Sequence, residues 1–366
     1  MLLACVRRTA AGNAVENAVE NAKGNAVENA AGDATGNAMV GDVVKELADS
    51  LWYVFQDRED RYWFGSDGDG VFCYDGKSIV NYTTKHGLPN DRIRQIQQDA
   101  LGNMYFSTLN GICKFDGKTF VVLQPVRTKE WKSEPSDMWF YMLGKGGEHG
   151  PYRYDGKTLY SLEFPKHFLH DEFMEGGINS FFSPYEIYTI YKDRKGVMWF
   201  GTSVFGACRY DGESVKWMYE RDLTIVPAGG SFGIRSIYED RDGRFWICNT
   251  KQRFEFDLEK TKASDRLEYE KVAGIGDSKL FGGDEFIYYS HIVEDDDGNI
   301  WLTTWSQGVY KYDGSKITHY NVTAGGKDVN LVSMYKDRHG VLWLGTIDSG
   351  VFRFDGERFG NKIIGE

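Results

Sequence analysis

The stretch DRKGVMWFGTSVFGACRYDGES, residues 193–214, holds an acidic turn, a short apolar run, a glycine break, an aromatic-rich run and an Asp-Gly turn. The same order of features returns near residues 57, 99, 240, 295 and 337. A catalytic motif has no reason to recur along one chain, whereas a building unit does. The copies align on an aromatic residue: Trp63, Tyr105, Trp139, Trp199, Trp246, Trp301 and Trp343. Six residues earlier stand Asp57, Asp99, Asp193, Asp240, Asp295 and Asp337, and only the third copy breaks the column, with Ser133. A second Asp follows each aromatic, usually in Tyr/Phe-Asp-Gly: Asp75, Asp116, Asp155, Asp211, Asp257, Asp313 and Asp355. Copies of roughly 40–55 residues have the period of a propeller blade.

Each copy reads as four short strands. A half-alternating apolar run such as IRSIYED makes the first, and Asp-x-x-Gly reverses the chain. The carboxylate there accepts a backbone N–H two residues on, and Gly supplies positive φ. A run such as VMWFGT makes the second strand, GVYKYDG the third and KITHY the fourth. The Asp-Gly between the last two is expected to form a two-residue hairpin with both central residues at positive φ. Turn signals this regular predict an all-β fold: a seven-bladed β-propeller of four-stranded antiparallel blades. The cationic column Lys114, Arg153, Arg209, Lys311 and Arg353 is expected to tie one blade to the next.

The pattern D-x-x-G-x-x-W-x-G-T followed by G-V-x-x-Y-D-G-K resembles the two-component-regulator propeller repeat, over about residues 50–360. The resemblance implies a sensor propeller of bacterial hybrid two-component systems. No kinase or DNA-binding segment follows the last copy, so the domain reads as free-standing, and a protein partner would supply any signalling output.

The 366 residues carry a formal net charge of −11, which argues against a nucleic-acid partner. No run of eighteen apolar residues is present, so no transmembrane segment is expected. Residues 1–49 are read as a low-complexity tether, because the repeated Asn, Ala and Glu of NAVENAVENA bury too little surface to order the chain. Residues 50–366 are assigned to the propeller. Leu2–Cys5, LLAC, resembles a lipobox, which would make Cys5 the lipidated residue and the protein a periplasmic or cell-envelope lipoprotein. No signal segment precedes it here, and a true start at Met1 would imply the cytoplasm. The remaining cysteines lack metal or redox spacing, and Cys113 and Cys208 read as small core fillers.

Function is sought on variable elements held by the scaffold. Two insertions, near 160–186 and 260–287, are expected at one end of the channel. Counted back from its closing Asp, the first strand carries Trp52, Arg94, Tyr188 and Arg235 in one column and His291 in the next. These residues are predicted to ring the channel mouth. The arginines suit a carboxylate or sulfate, and the aromatic residues suit stacking on a sugar or aromatic ring. The expected partner is a small molecule or glycan, or a docked protein. The alternative is a propeller lyase or hydrolase acting on a polysaccharide or cyclic ester through His149 and His291. No nucleotide, zinc-protease or hydrolase fingerprint is present, so neither a metal nor a cofactor is expected.

Overall fold

The computed structural model describes residues 41–142, 150–175, 183–226, 232–275 and 286–361. Among them seven sheets of four or five strands follow one another along the chain, one per repeat copy, with one additional two-stranded hairpin. In five blades the four strands pair in sequence order with the first at the inner edge, and in blade 1 the strands from Leu51 to Tyr82 do the same. Seven apolar clusters join the blades. Each has an aromatic residue of the repeat at its heart, such as Trp199 between blades 4 and 5 or Trp301 between blades 6 and 7. Removing one such buried indole would cost about 3–5 kcal/mol.

The acidic column has a direct physical cause. In blade 4, Asp193 Oδ1 accepts the backbone N–H groups of Lys195 (3.0 Å) and Val197 (2.9 Å). Its Oδ2 accepts the indole N–H of Trp199 at 2.9 Å. One carboxylate therefore closes the turn and satisfies the donor of the largest core side chain. The same brace recurs on Asp57, Asp99, Asp240, Asp295 and Asp337, with aromatic donor distances of 2.7–3.0 Å. Burial raises the pKa of Asp99, Asp295 and Asp337, but these hydrogen bonds outweigh it and hold the groups below the usual carboxylate range. In blade 1 the turn reads DRED, and Asp60 occupies the left-handed position (φ 63°) that glycine takes in the other copies.

The second turn differs from expectation. Asp75 is a corner residue whose carboxylate accepts the N–H groups of Lys77 and Ser78. Gly76 alone has positive φ, at 90°, which is the II′ arrangement with Gly in the first central position. The cationic column also departs from expectation, because its partners lie within the blade. Lys311 and Arg353 face Trp301 and Trp343 across one strand pair and sit 5.2 and 5.7 Å above those rings. In blade 1 Cys73 stands opposite Trp63, and Arg61 covers the indole instead, at 5.6 Å. The four described cysteines are buried thiols, Cys113 and Cys208 among them.

Among the described residues no strand is shared between the first and last blades. Blade 7 (Leu331–Gly360) packs on blade 1 through Trp343, Val351, Leu51 and Phe64. Tyr62 donates to Asp337 at 2.7 Å, and the Arg338 N–H donates to Gln56 at 2.8 Å. The first-domain boundary moves as well. Asp42–Val44, assigned above to the tether, form a fifth strand on the outer edge of blade 1, paired with Ile79–Asn81. Val44, Leu47 and Ala48 supply the apolar contacts that the Asn/Ala/Glu repeat lacks. Cys5 and the rest of residues 1–40 lie outside the described residues.

Blade 3 is built differently. Its inner edge is Met138–Phe140, the counterpart of the second strand elsewhere. Pro125–Thr128, which precedes it in the chain, runs along the outer edge, parallel to Leu159–Leu162. The chain then returns through Lys129, Glu130, Lys132 and Pro135, too charged and too rigid for a buried inner strand. Trp131 anchors this return between blades 3 and 4, against Trp139, Phe164, Phe200 and Tyr210.

Candidate functional site

The predicted channel column coincides with a series of β-bulges. In blade 2, Ile93 pairs with Thr108 and Gln95 with Ser107, which leaves Arg94 as the extra residue. Trp52 in blade 1, Tyr188 in blade 4 and Val332 in blade 7 occupy the same bulge. A bulge redirects the side chain of its extra residue out of the pleat alternation. Arg235 and Ser290 hold the matching positions, two residues and one residue before the inner strands of blades 5 and 6.

Four of the five predicted residues meet in two guanidinium–aromatic pairs, each across one blade boundary. Arg94 lies 4.8 Å above Trp52, and Arg235 lies 4.6 Å above Tyr188. Arg94 is buried, and its Nη1 donates to Asp67 Oδ1 at 2.9 Å and to the Ile93 carbonyl at 3.0 Å. Arg235 donates from Nε to the Phe232 carbonyl at 2.9 Å and also lies 5.4 Å from the Phe232 ring. His291 is half-buried. Desolvation, with Arg235 as the second cause, lowers its pKa to about 4, so the ring is neutral at physiological pH. His149, the other half of the alternative catalytic pair, lies outside the described residues.

Tyr53, Tyr141 and Asp67 belong with this ring although they were not predicted as site residues. Tyr53 and Tyr141 hydrogen-bond each other, and burial raises both phenol pKa values while Arg94 and Arg235 pull them down. Both arginines therefore act on the same pair of phenols. Tyr141 stands where other copies carry Gly65, Gly201, Gly345, Ser107, Cys248 or Thr303. A side chain at Gly65, Gly201 or Gly345 would strike the inner strand of the next blade at 2.1–2.7 Å. Tyr141 donates instead to the Arg94 carbonyl at 3.4 Å. A large residue in a column of small ones was the available signal for it. Asp67 was visible only as part of the acidic SDGDG loop.

Several polar atoms of the ring are buried without a protein partner: Trp52 Nε1, Arg94 Nε, Gln95 Oε1 and His291 Nδ1. Buried polar atoms are ordinarily hydrogen-bonded, so these four stand out in the ring. Among the described residues no group of three or more His, Cys, Asp or Glu is placed to hold a metal ion.

The first insertion runs from the end of Leu159–Leu162 to the start of Ile187–Lys192, at the end of the strands where the ring column lies, whereas the described part of the second is divided. Residues 258–268 lie in the hairpin between the third and fourth strands of blade 5, at the opposite end of the strands from the ring column. They carry the helix Leu258–Ala263, and Leu267 donates to the Trp217 carbonyl at the outer edge of blade 4. The first insertion packs His167, Phe168 and Phe173 on Phe205, Trp217 and Tyr219 of blade 4. The two meet where Arg266 lies 3.8 Å above Phe168. The described parts of both cover apolar surface on the rim.

Known proteins share this architecture. The family profile described as two component regulator propeller matches residues 182–204, 231–251 and 282–306, in copies four to six. Histidine kinase P4 of Formosa agariphila is 26% identical over 288 residues, which is 75% of this chain and 17% of the kinase. The extracellular domain of a hybrid two-component system from B. thetaiotaomicron superposes with a TM-score of 0.55 at 19% identity, over 85% of this chain and 39% of that one. Virginiamycin B lyase from Staphylococcus aureus gives a TM-score of 0.58 at 12% identity, over 83% of this chain and 94% of the lyase. At these identities the structural likenesses are of fold, and the chain spans well under half of its two-component relatives. Repeat, blade count and profile agree: copies four to six carry the two component regulator propeller repeat, within a seven-bladed propeller.

Proposed function

We propose that this propeller is an extracytoplasmic sensing module that binds a small ligand at the end of the channel where the inner strands begin. The bound state would be relayed through a protein partner or a further part of its system. The observation that carries the reading is the bulge column, which aims Trp52, Arg94 and Tyr188 out of the pleat beside buried, unpartnered polar atoms. The extracellular domains and the kinase named above support a sensing role and an extracytoplasmic location. Lipidation at Cys5 remains part of the proposal, and mass spectrometry of the protein from membranes of its native host tests it.

The ligand reading is tested by a thermal-shift screen of the full chain against a small-molecule library. A ligand at a hundred times its dissociation constant adds about 2.7 kcal/mol, a rise of several degrees. The stabilisation is expected to shrink in Arg94→Ala and in Arg235→Ala. A ligand that stabilises both variants as fully as the wild type would place the site elsewhere.

A further inference from the structure

The two arginines of the ring are not equivalent. Arg94 has a counter-charge, because its Nη1 meets Asp67 at 2.9 Å in an ion pair with both side chains largely buried. Arg235 is half-buried and uses Nε for a backbone carbonyl. Among the described residues no carboxylate lies within 4.0 Å of it. Glu186 also bears on Tyr188, yet no ion pair joins Glu186 to Arg235. A guanidinium carries five N–H donors in a planar fork, and withdrawing it from water without a counter-charge is costly.

Three titratable neighbours of Arg235 are neutral. His291 is uncharged at physiological pH, and Tyr53 and Tyr141 keep their protons because burial pushes both phenols up. Trp52 Nε1 and Arg94 Nε are further donors without partners. Among the described residues the ring thus offers one guanidinium without a paired carboxylate, beside several neutral donors. The aromatic residues have a different task from the stacking anticipated above. Trp52 and Tyr188 each have one face covered by a guanidinium, so they orient the arginines.

We infer that the ring takes a ligand bearing a single carboxylate, held by the guanidinium of Arg235, with the Arg94–Asp67 pair serving as a charge-neutral donor wall. The inference rests on the ligand-site reading above. A carboxylate matches the guanidinium fork in two parallel hydrogen bonds. A doubly charged anion such as sulfate would leave one charge uncompensated.

Calorimetric titration of the full chain at neutral pH and fixed ionic strength tests this. The probes are acetate, lactate and glucuronate, each paired with its amide, and sulfate. At least one acid is expected to bind about tenfold or more tightly than its amide, the worth of a charge-assisted hydrogen bond. Arg235→Gln should erase that preference and Arg235→Lys should keep part of it. Asp67→Asn should release the charge of Arg94 and raise the affinity for sulfate. Amides that bind as well as acids would overturn the carboxylate while leaving the ligand site standing. Sulfate preferred by the wild type would overturn the single charge. Failure of every probe, beside a library ligand that still needs Arg235, would also defeat the inference and spare the broader reading.

Discussion

Blades 3 and 4 are neighbours made from the same repeat, and they solve one problem in two ways. Blade 4 has Asp193, which closes its turn and holds the indole of Trp199. Blade 3 has Ser133 at that position, and among the described residues no strand lies inward of Met138–Phe140. A carboxylate four residues later stands in: Asp137 accepts Arg153 Nη1 at 2.7 Å and the Glu134 N–H at 2.8 Å. The comparison teaches that the repeat encodes a turn joined to an indole, and that an inner strand forms where this brace is intact.

The largest effects should come from cutting the two braces. Asp137→Ala leaves Arg153, whose side chain is 9% exposed, charged and unpaired. A loss of about 3–5 kcal/mol is expected in urea denaturation. Adding Arg153→Met should recover most of it, since the buried charge is then gone. Asp193→Ala removes the acceptor of three donors and should cost about 3 kcal/mol. Adding Trp199→Phe should recover only about 1 kcal/mol, because two backbone N–H groups stay unpaired. Equal rescue in the two blades would show that the ion pair and the brace are the same device.

A second comparison sets the channel wall against the rim. His291 and His167 both have pKa values lowered by burial, to about 4 and about 3, with Arg235 as the second cause for His291 and Arg266 for His167. The charged groups that bear on His167 are Arg266 and His170, while the aromatic rings of Phe168, Phe205 and Trp217 enclose it. Both folded pKa values lie below the unfolded value near 6.5. The stability each neutral ring contributes is therefore complete above that pH and declines as the pH falls towards the folded pKa. At about pH 5 each histidine should have cost roughly 2 kcal/mol. His291→Gln should flatten the acid limb of a stability–pH curve measured by denaturant midpoint. An unchanged slope would mean that the channel admits water freely enough to solvate the imidazolium.

The blade count and the turns were legible because their cause is local. The acceptor and the indole donor lie six residues apart, so one short window contains the whole brace. The column that holds Trp52, Arg94, Tyr188 and Arg235 was also legible, since strand position survives a bulge. What those side chains meet was not. Asp67 reaches Arg94 from 27 residues away, and nothing in the acidic loop around it distinguishes a partner from a solvated carboxylate. The cationic column was assigned to the wrong neighbour because sequence spacing does not reveal strand register. The second insertion was placed at one end because it reads as continuous, although a strand, Tyr269–Ala273, divides it. The break at Ser133 was in view, but its consequence depended on charged residues that no blade interior could take.

The smallest expected effect probes how blade 3 survives its missing strand. Without an inner neighbour, the Trp139 carbonyl faces the wall with no strand to pair it. Two amides of blade 2 reach across and donate to it, Gln97 at 2.7 Å and Gln95 at 3.3 Å, while Ser107 donates to the Tyr141 carbonyl. Side chains of one blade thus perform the hydrogen bonding of a strand in the next. Gln97→Leu removes the shorter bond and leaves the weaker one, so about 1 kcal/mol should be lost. Global unfolding would barely register this, but hydrogen exchange should, because faster local opening raises the rate at the amides of Met138–Phe140. Protection in the second strand of blade 4, Met198–Thr202, should be unchanged, since Ile187–Lys192 pairs its inner edge. Acceleration in both blades would mean that Gln97 supports the ring as a whole, and unchanged exchange in blade 3 would mean that Gln95 alone closes the gap.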